Sequence, residues 1–98
     1  MVRVLPFDRG LGYPQRQRAL INQVQYDLIY RWNHTGGFCV LTVLRSPGRS
    51  PGERVIWRGK LVRLQGYEVR DPDTRTLLFT IMPHLVDTTK AEVWVFYD

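Results

Sequence analysis

The stretch that decides the fold is "YDLIYRWNHTGGFCVLTVL", residues 26–44. In its first half every second residue is large and apolar, and these residues are Tyr26, Leu28, Tyr30 and Trp32. A period of two is typical of a β-strand with one buried face, here predicted from about Ile21 to Trp32. "NHTGG" follows, and its asparagine and glycines tolerate positive φ. The pattern therefore predicts a hairpin with a turn of three to five residues.

The return strand, predicted over Gly37 to Leu44, is apolar on both faces. One face carries Phe38, Val40, Thr42 and Leu44, and the other carries Cys39, Leu41 and Val43. A strand of this kind lies in the middle of a sheet that is covered on both sides, or it offers one face to another chain. Both arrangements are open at this point.

The rest of the chain divides into residues 1–20 and 21–98. After the short strand candidate "VRVLPF", the segment "DRGLGYPQRQR" combines glycine, proline and arginine without periodicity, which predicts an irregular, basic N-terminal arm. Residues 21–98 contain only short strand patterns separated by turns. They predict one all-β domain, a small β-barrel or sandwich of six to seven short antiparallel strands.

Four segments after the hairpin complete this prediction. "RSPGRSPGE", residues 45–53, is a loop because proline cannot donate to a ladder. "RVIWRGKLVRL" forms either two strands about a turn at Gly59-Lys60 or one strand with a glycine bulge. "LLFTIM" is a strand that ends at Pro83, and "AEVWVFYD" is the last strand.

Composition narrows the function classes. The chain has 98 residues and a net charge of +5, and arginine supplies 12 of its 14 basic residues. Arginine makes bidentate contacts with carboxylates and phosphates, which suits an acidic protein surface or a nucleic acid. The first ten residues lack the apolar stretch of a signal peptide, and Cys39 is the one cysteine. We therefore expect synthesis in a reducing cytoplasm.

Candidate catalytic and metal-binding residues are few. Cys39, His34 and His84 have no metal-ligand spacing, and no histidine pairs with a serine or cysteine in a nucleophilic pattern. Asp71 and Asp73 in "DPDT" fit a turn better than a calcium loop. We therefore expect a protein that is not an enzyme and has no cofactor and no metal. A pocket around a His84 or Asp71 of shifted pKa would favour an enzyme instead.

Trp57 supports a second interpretation. It stands among basic residues, Arg54, Arg58, Lys60 and Arg63. Small basic β-barrels bind single-stranded nucleic acid by stacking bases on aromatic rings. The same pattern also fits a strand with Trp57 in the core and its arginines in water.

The hairpin together with "GKLVRLQGY" resembles a family of small phage tail proteins, the baseplate plug of minimal contractile-tailed cyanophages and its relatives. The matching pieces are Tyr30-Arg31-Trp32-Asn33, Gly36-Gly37, Phe38 to Leu44, Leu61-Val62 and Gly66. The resemblance covers about residues 20–98. It implies a virion structural protein of the tail baseplate without catalytic residues. Several copies around the tail axis would close the central channel until DNA ejection.

These observations predict a partner interface. The expected partners are acidic surfaces of other baseplate, hub and tail-tube proteins, with nucleic acid as a secondary contact only and no membrane. Basic residues of the arm and loop would dock on them, and apolar residues of the return strand and Trp57 would pack against them. The candidate residues are Arg16, Arg18, Phe38, Leu41, Val43, Arg45, Arg49 and Trp57.

Overall fold

The computed structural model describes residues 1–5, 7–8, 10–45 and 54–98. Eight β-strands and no helix make up this part of the chain. The all-β prediction is confirmed, with eight strands in place of six or seven. Arg49 and the loop segment 46–53 lie outside the described residues. The strands are β1 Val2–Leu5, β2 Gln15–Ile21, β3 Val24–Asn33, β4 Phe38–Arg45, β5 Arg54–Lys60, β6 Tyr67–Arg70, β7 Leu77–Val86 and β8 Ala91–Phe96.

The strands form two antiparallel sheets of four strands each. Sheet I has the order β2-β3-β4-β5, and sheet II has the order β1-β8-β7-β6. The inward side chains of both sheets form one hydrophobic core, in which the rings of Tyr26 and Phe79 meet edge to face at 5.1 Å. Of the barrel and sandwich alternatives, this arrangement fits a sandwich.

The quoted hairpin forms the centre of sheet I. Strands β3 and β4 pair from Tyr26↔Arg45 to Asn33↔Phe38. The Gly36 amide donates to Asn33 Oδ1 at 2.9 Å, and Gly37 has a φ of 70°. The predicted turn is therefore correct. Asn33 supplies the acceptor of the hydrogen bond, and Gly37 adopts the left-handed backbone conformation.

Strand β4 is apolar on both faces because it lies in the middle of its sheet. Cys39, Leu41 and Val43 point into the core and are fully buried. On the other face Thr42 and Leu44 are also buried, at 6% and 8% exposure. Strand β4 is therefore central, as the first of the two arrangements expected, and its core-facing side is not available to another chain. Its outward side is not covered by a further layer of the described residues, so a neighbour on that side stays open.

The short strand candidate at the start of the N-terminal arm is present, since Val2–Leu5 pairs with β8. The prediction of an irregular segment after it is wrong for Gln15–Ile21, which pairs with β3. The inward positions of β2 begin with glutamines, which hid the period of two. Gln15 is buried because its side-chain amide exchanges hydrogen bonds with the Asp8 backbone at 2.8 and 2.9 Å, and Gln17 accepts from the Tyr30 hydroxyl at 2.9 Å.

Two strand limits also differ from the predictions. The strand expected from Ile21 is interrupted at Asn22-Gln23, where both residues have positive φ and form a two-residue turn between β2 and β3. The predicted turn at Gly59-Lys60 is absent, because both residues belong to β5. A β-bulge is present, but it falls at Ile56 and not at a glycine, since Val43 faces Trp57 and Leu44 faces Val55.

Strand β7 does not end at Pro83. It continues to Val86, and Pro83 lies opposite Val93 of β8. The Pro83 carbonyl accepts from the Leu64 amide at 2.7 Å, so its backbone polar side faces the 61–66 segment and not β8. Because β6 pairs with β7 only up to Ile81, the missing N–H of the proline removes no ladder hydrogen bond.

Candidate interaction faces

The outward face of sheet I carries a set of cations that we call the basic face. Its members project from both edge strands and from β3, and they are Arg16, Arg18, Arg31, Arg58 and Lys60. The register places Arg16, Ile29, Thr42 and Arg58 in one row across the sheet. Adjacent strands are about 4.8 Å apart, so the cations of β2 and β5 stand about 14 Å apart at the backbone.

Asp27 is the one acidic residue that the described part of the chain places on this face. Its side chain is 1% exposed. It accepts from Arg16 Nη2 at 2.6 Å and from Arg18 Nε at 3.1 Å, whereas the two arginine side chains remain 49% and 65% exposed. The carboxylate therefore fixes the direction of both guanidinium groups while their outer sides stay in water. With one negative against five positive charges, the basic face is strongly cationic.

A shallow groove of about 360 Å³ lies between the cations. Val40 and Thr42 form its floor, Arg31 and Arg58 lie on its sides, and Arg58 Nε donates to Thr42 Oγ1 at 3.0 Å. At the end of the face, Lys60 Nζ lies 4.8 Å from the centre of the Phe38 ring. An apolar strip between two basic borders suits a partner that carries carboxylates or phosphates around a flat apolar contact.

The predicted interface residues do not all lie on one surface. Arg16, Arg18 and Phe38 belong to the basic face or its end. Leu41 and Val43 are 0% exposed, so both belong to the core and are withdrawn from the interface. The pattern did not distinguish them from Phe38 because every position of β4 from 38 to 44 is apolar or threonine.

Arg45 and Trp57 have internal roles. Arg45 donates to Asp71 at 3.3 Å and so connects β4 to the turn after β6. Trp57 is half-buried, points inward across Gly59, and packs against Tyr67 of sheet II at 5.3 Å. A Cβ at Gly59 would come within 2.7 Å of the Trp57 ring, which explains the glycine in this strand. Arg49 lies outside the described residues.

Three members of the basic face, Arg31, Arg58 and Lys60, were not among the predicted interface residues. In the sequence Arg31 lies between the apolar Tyr30 and Trp32, and Arg58 and Lys60 lie near Trp57. Only the strand order places them on one face with Arg16 and Arg18. A signal was present in the sequence, because each of these residues has the outward parity of its own strand.

The polar residues considered for catalysis have structural roles. Cys39 is buried in the core, and burial raises the pKa of its thiol to about 11. The His84 ring stacks on Trp94 at 4.7 Å. The backbone N–H groups of Asp73 and Thr74 lower the pKa of Asp71, which is the hydrogen bonding of a turn. Within the described ranges, no group of His, Cys, Asp and Glu side chains is placed to hold a metal ion.

In the part of the chain that the structure describes, no helix has the length and apolar character needed to cross a membrane. Comparison with protein-family models, curated proteins and solved structures found no match.

Proposed function

We propose that this chain is a non-enzymatic structural protein of a virion, a plug-like component of a phage tail baseplate. In this proposal it docks through the basic face on acidic surfaces of hub and tail-tube proteins and helps to close the channel. The single observation that carries the docking is the concentration of five outward cations around one buried carboxylate.

The chemistry of this face suits reversible assembly. Four of the five cations stand on the edge strands of the sheet, where ion pairs give orientation and speed of association more than affinity. The strip between them, with Ile29, Val40 and Thr42, supplies the contact area that excludes water. A plug must hold in one orientation and later leave, and salt-sensitive border contacts around a small apolar centre fit both requirements.

The resemblance supports the choice of assembly. The pieces that carry it, Tyr30-Arg31-Trp32-Asn33 and Phe38 to Leu44, form the two central strands of sheet I. They therefore contribute Arg31 and the floor of the groove to the basic face. The resembling residues and the cationic groove coincide in one surface, as expected if that surface is the one used in assembly.

Location in a virion is tested directly by immuno-electron microscopy. Antibodies against the chain are applied to contractile-tailed particles purified from its source, with preimmune serum as the control. We expect label at the baseplate end of the tail. Particles that carry no label, in a lysate where the chain is abundant, would contradict the virion proposal.

Docking is tested with two double variants of equal charge. Arg31→Ala with Arg58→Ala removes two cations of the basic face. Arg63→Ala with Arg70→Ala removes two exposed arginines outside it. For binding to poly-glutamate at low salt, we expect the first variant to lose about fivefold in affinity and the second almost nothing. Fluorescence titration measures both, and equal losses in the two variants would show that net charge alone matters.

Binding of single-stranded nucleic acid is the second candidate, and one observation favours it. Phe38 lies half-buried beside Lys60 at the end of the basic face, where a base can stack next to a phosphate contact. Trp57, the residue first considered for stacking, is directed into the sandwich. If a single-stranded oligonucleotide binds more tightly than poly-glutamate at equal salt, and Phe38→Ala weakens it by tenfold, this second function takes precedence.

A further inference from the structure

The outward face of sheet II is apolar, and we call it the apolar face. Two rows cross it, Val2-Phe96-Thr80 and Val4-Trp94-Met82. Val2, Val4 and Phe96 are 54%, 46% and 36% exposed. Alternation would normally place polar side chains on a solvent face, so a contiguous apolar patch on this side of the sheet marks a surface with a partner.

A groove continues this face at one end. It has a volume of about 560 Å³ and is lined by apolar side chains, among them Met1, Leu77 and Phe96, and by the polar Asn22, Thr80 and Asp98. Met1 and Leu77 are 82% and 46% exposed. Val4 and Trp94 lie in the row next to the one that lines this groove, and we call this pair the ridge. A surface that carries both a ridge and a groove can match itself under a two-fold rotation.

The distribution of charge identifies the partner. On the apolar face Glu68 pairs with Arg70, and Glu92 accepts from Trp94 Nε1 at 3.0 Å. Two acidic residues and one basic residue therefore leave this face without an excess of cations, although the chain as a whole carries +5. Two copies repel each other across their basic faces, and the apolar face is where they can approach without opposing cations.

We propose that the apolar face binds a second copy of this chain, with the ridge of each copy in the groove of the other. The molecule measures 34 × 28 × 22 Å, so one sheet face can supply on the order of 800 Å² per partner, the size of a specific interface. The resulting dimer is back to back, and its two basic faces point in opposite directions. It bridges two acidic surfaces. The dimer contact uses a different face from the proposed docking, and the two are tested separately.

The test compares two valines of matched exposure on edge strands of the two sheets. Val4 in β1 is 46% exposed on the apolar face, and Val55 in β5 is 47% exposed on sheet I. Val4→Lys and Val55→Lys add the same charge. Sedimentation equilibrium from about 1 µM to 1 mM measures the dissociation constant of the dimer, and near-UV circular dichroism checks the fold of each variant. Phe96→Lys is a second change within the patch.

The expected result is a wild-type dimer that Val4→Lys and Phe96→Lys each weaken at least tenfold, whereas Val55→Lys leaves it within twofold. Higher salt should tighten the dimer, because it screens the repulsion between two positive copies. A wild type that stays monomeric at 1 mM overturns the proposal. So does a dimer that Val55→Lys weakens more than Val4→Lys, or an open-ended series of larger species.

Discussion

The two outward faces of this sandwich have the same backbone architecture and opposite chemistry. Sheet I shows five cations around a narrow apolar strip, and sheet II shows valines and aromatic rings without an excess of cations. The first chemistry suits a charged neighbour and weakens with salt. The second suits an apolar neighbour and, between two positive copies, strengthens with salt.

The comparison shows how a small sandwich separates its tasks. Alternation gives each strand one side for the core and one side for the surface. The inward sides of both sheets contribute to one hydrophobic core, so the fold does not depend on what the outward sides carry. The outward sides are then free to differ, and here the difference predicts that the molecule has two distinct contact surfaces.

The largest effect is expected from a substitution in the core, because it unfolds the protein and both faces are lost with the fold. Leu41 is 0% exposed in the core between the sheets. Leu41→Asp places an unpaired carboxylate there, and we expect a loss of about 5 kcal/mol or more in the free energy of unfolding, comparable with the whole stability of a small domain. The variant should therefore be unfolded at 25 °C, as circular dichroism will show.

Leu20→Asp is the matched control for that change. Leu20 is 58% exposed on the outward side of β2. The same substitution there should alter the free energy of unfolding by less than about 0.5 kcal/mol. A folded, cooperative Leu41→Asp protein would mean that the two sheets do not share the core described above.

Much of sheet I could be predicted from the sequence. The hairpin of residues 26–44 combines a clean period of two with turn residues that have few alternatives, and local chemistry is sufficient for both. The glutamines at 15 and 17 are different. Gln15 is buried and Gln17 is half-buried on the inward side because Asp8 and Tyr30 satisfy their amides, and no local pattern in the sequence predicts those partners.

The faces could not be predicted from single strands. Arg31 and Arg58 line one groove because of the strand order β2-β3-β4-β5. The sequence pattern of a single strand does not show this order. The apolar face was missed for the same reason. Val2 and Val4 belonged to a short strand candidate, and Trp94 and Phe96 to the last strand. Their meeting depends on the pairing of the first strand with the last.

An intermediate effect is expected at the centre of the basic face. Asp27→Asn keeps the size of the side chain but replaces an acceptor of Arg16 and Arg18 with an amide whose NH₂ group opposes a guanidinium. We expect a loss of about 2 kcal/mol in the free energy of unfolding, because a buried charged hydrogen-bond acceptor is removed. Urea denaturation measures it.

The same variant sharpens the contrast between the faces. The net charge of the basic face rises by one, so binding to poly-glutamate should not weaken, whereas dimer formation through the apolar face should not change. A variant that loses stability and acidic binding together, while still folded at the assay temperature, would show that the directions of Arg16 and Arg18 matter more than their charge.

The smallest effect is expected from acid, and it originates outside both faces. Arg54 lowers the pKa of Asp73. Its guanidinium donates two hydrogen bonds to the carboxylate, at 2.6 and 2.9 Å, and its positive charge favours the ionised form. Hydrogen bonds from the Thr89 backbone and hydroxyl lower the pKa of Asp87. A folded-state pKa below the unfolded value of about 4 contributes stability that is complete above that pH and is lost as pH falls through the folded value.

The free energy of unfolding should therefore be flat from about pH 7 to 5 and fall below about pH 4. Asp73→Asn and Asp87→Asn should each make the acid slope shallower, because one proton fewer is taken up on unfolding. Urea midpoints at pH 7 and pH 3 measure the slope. The contact through the apolar face is made by valines and aromatic rings, so dimer formation at pH 5 and pH 7 should agree within twofold. A dimer that weakens between these two pH values would contradict a contact made by apolar side chains.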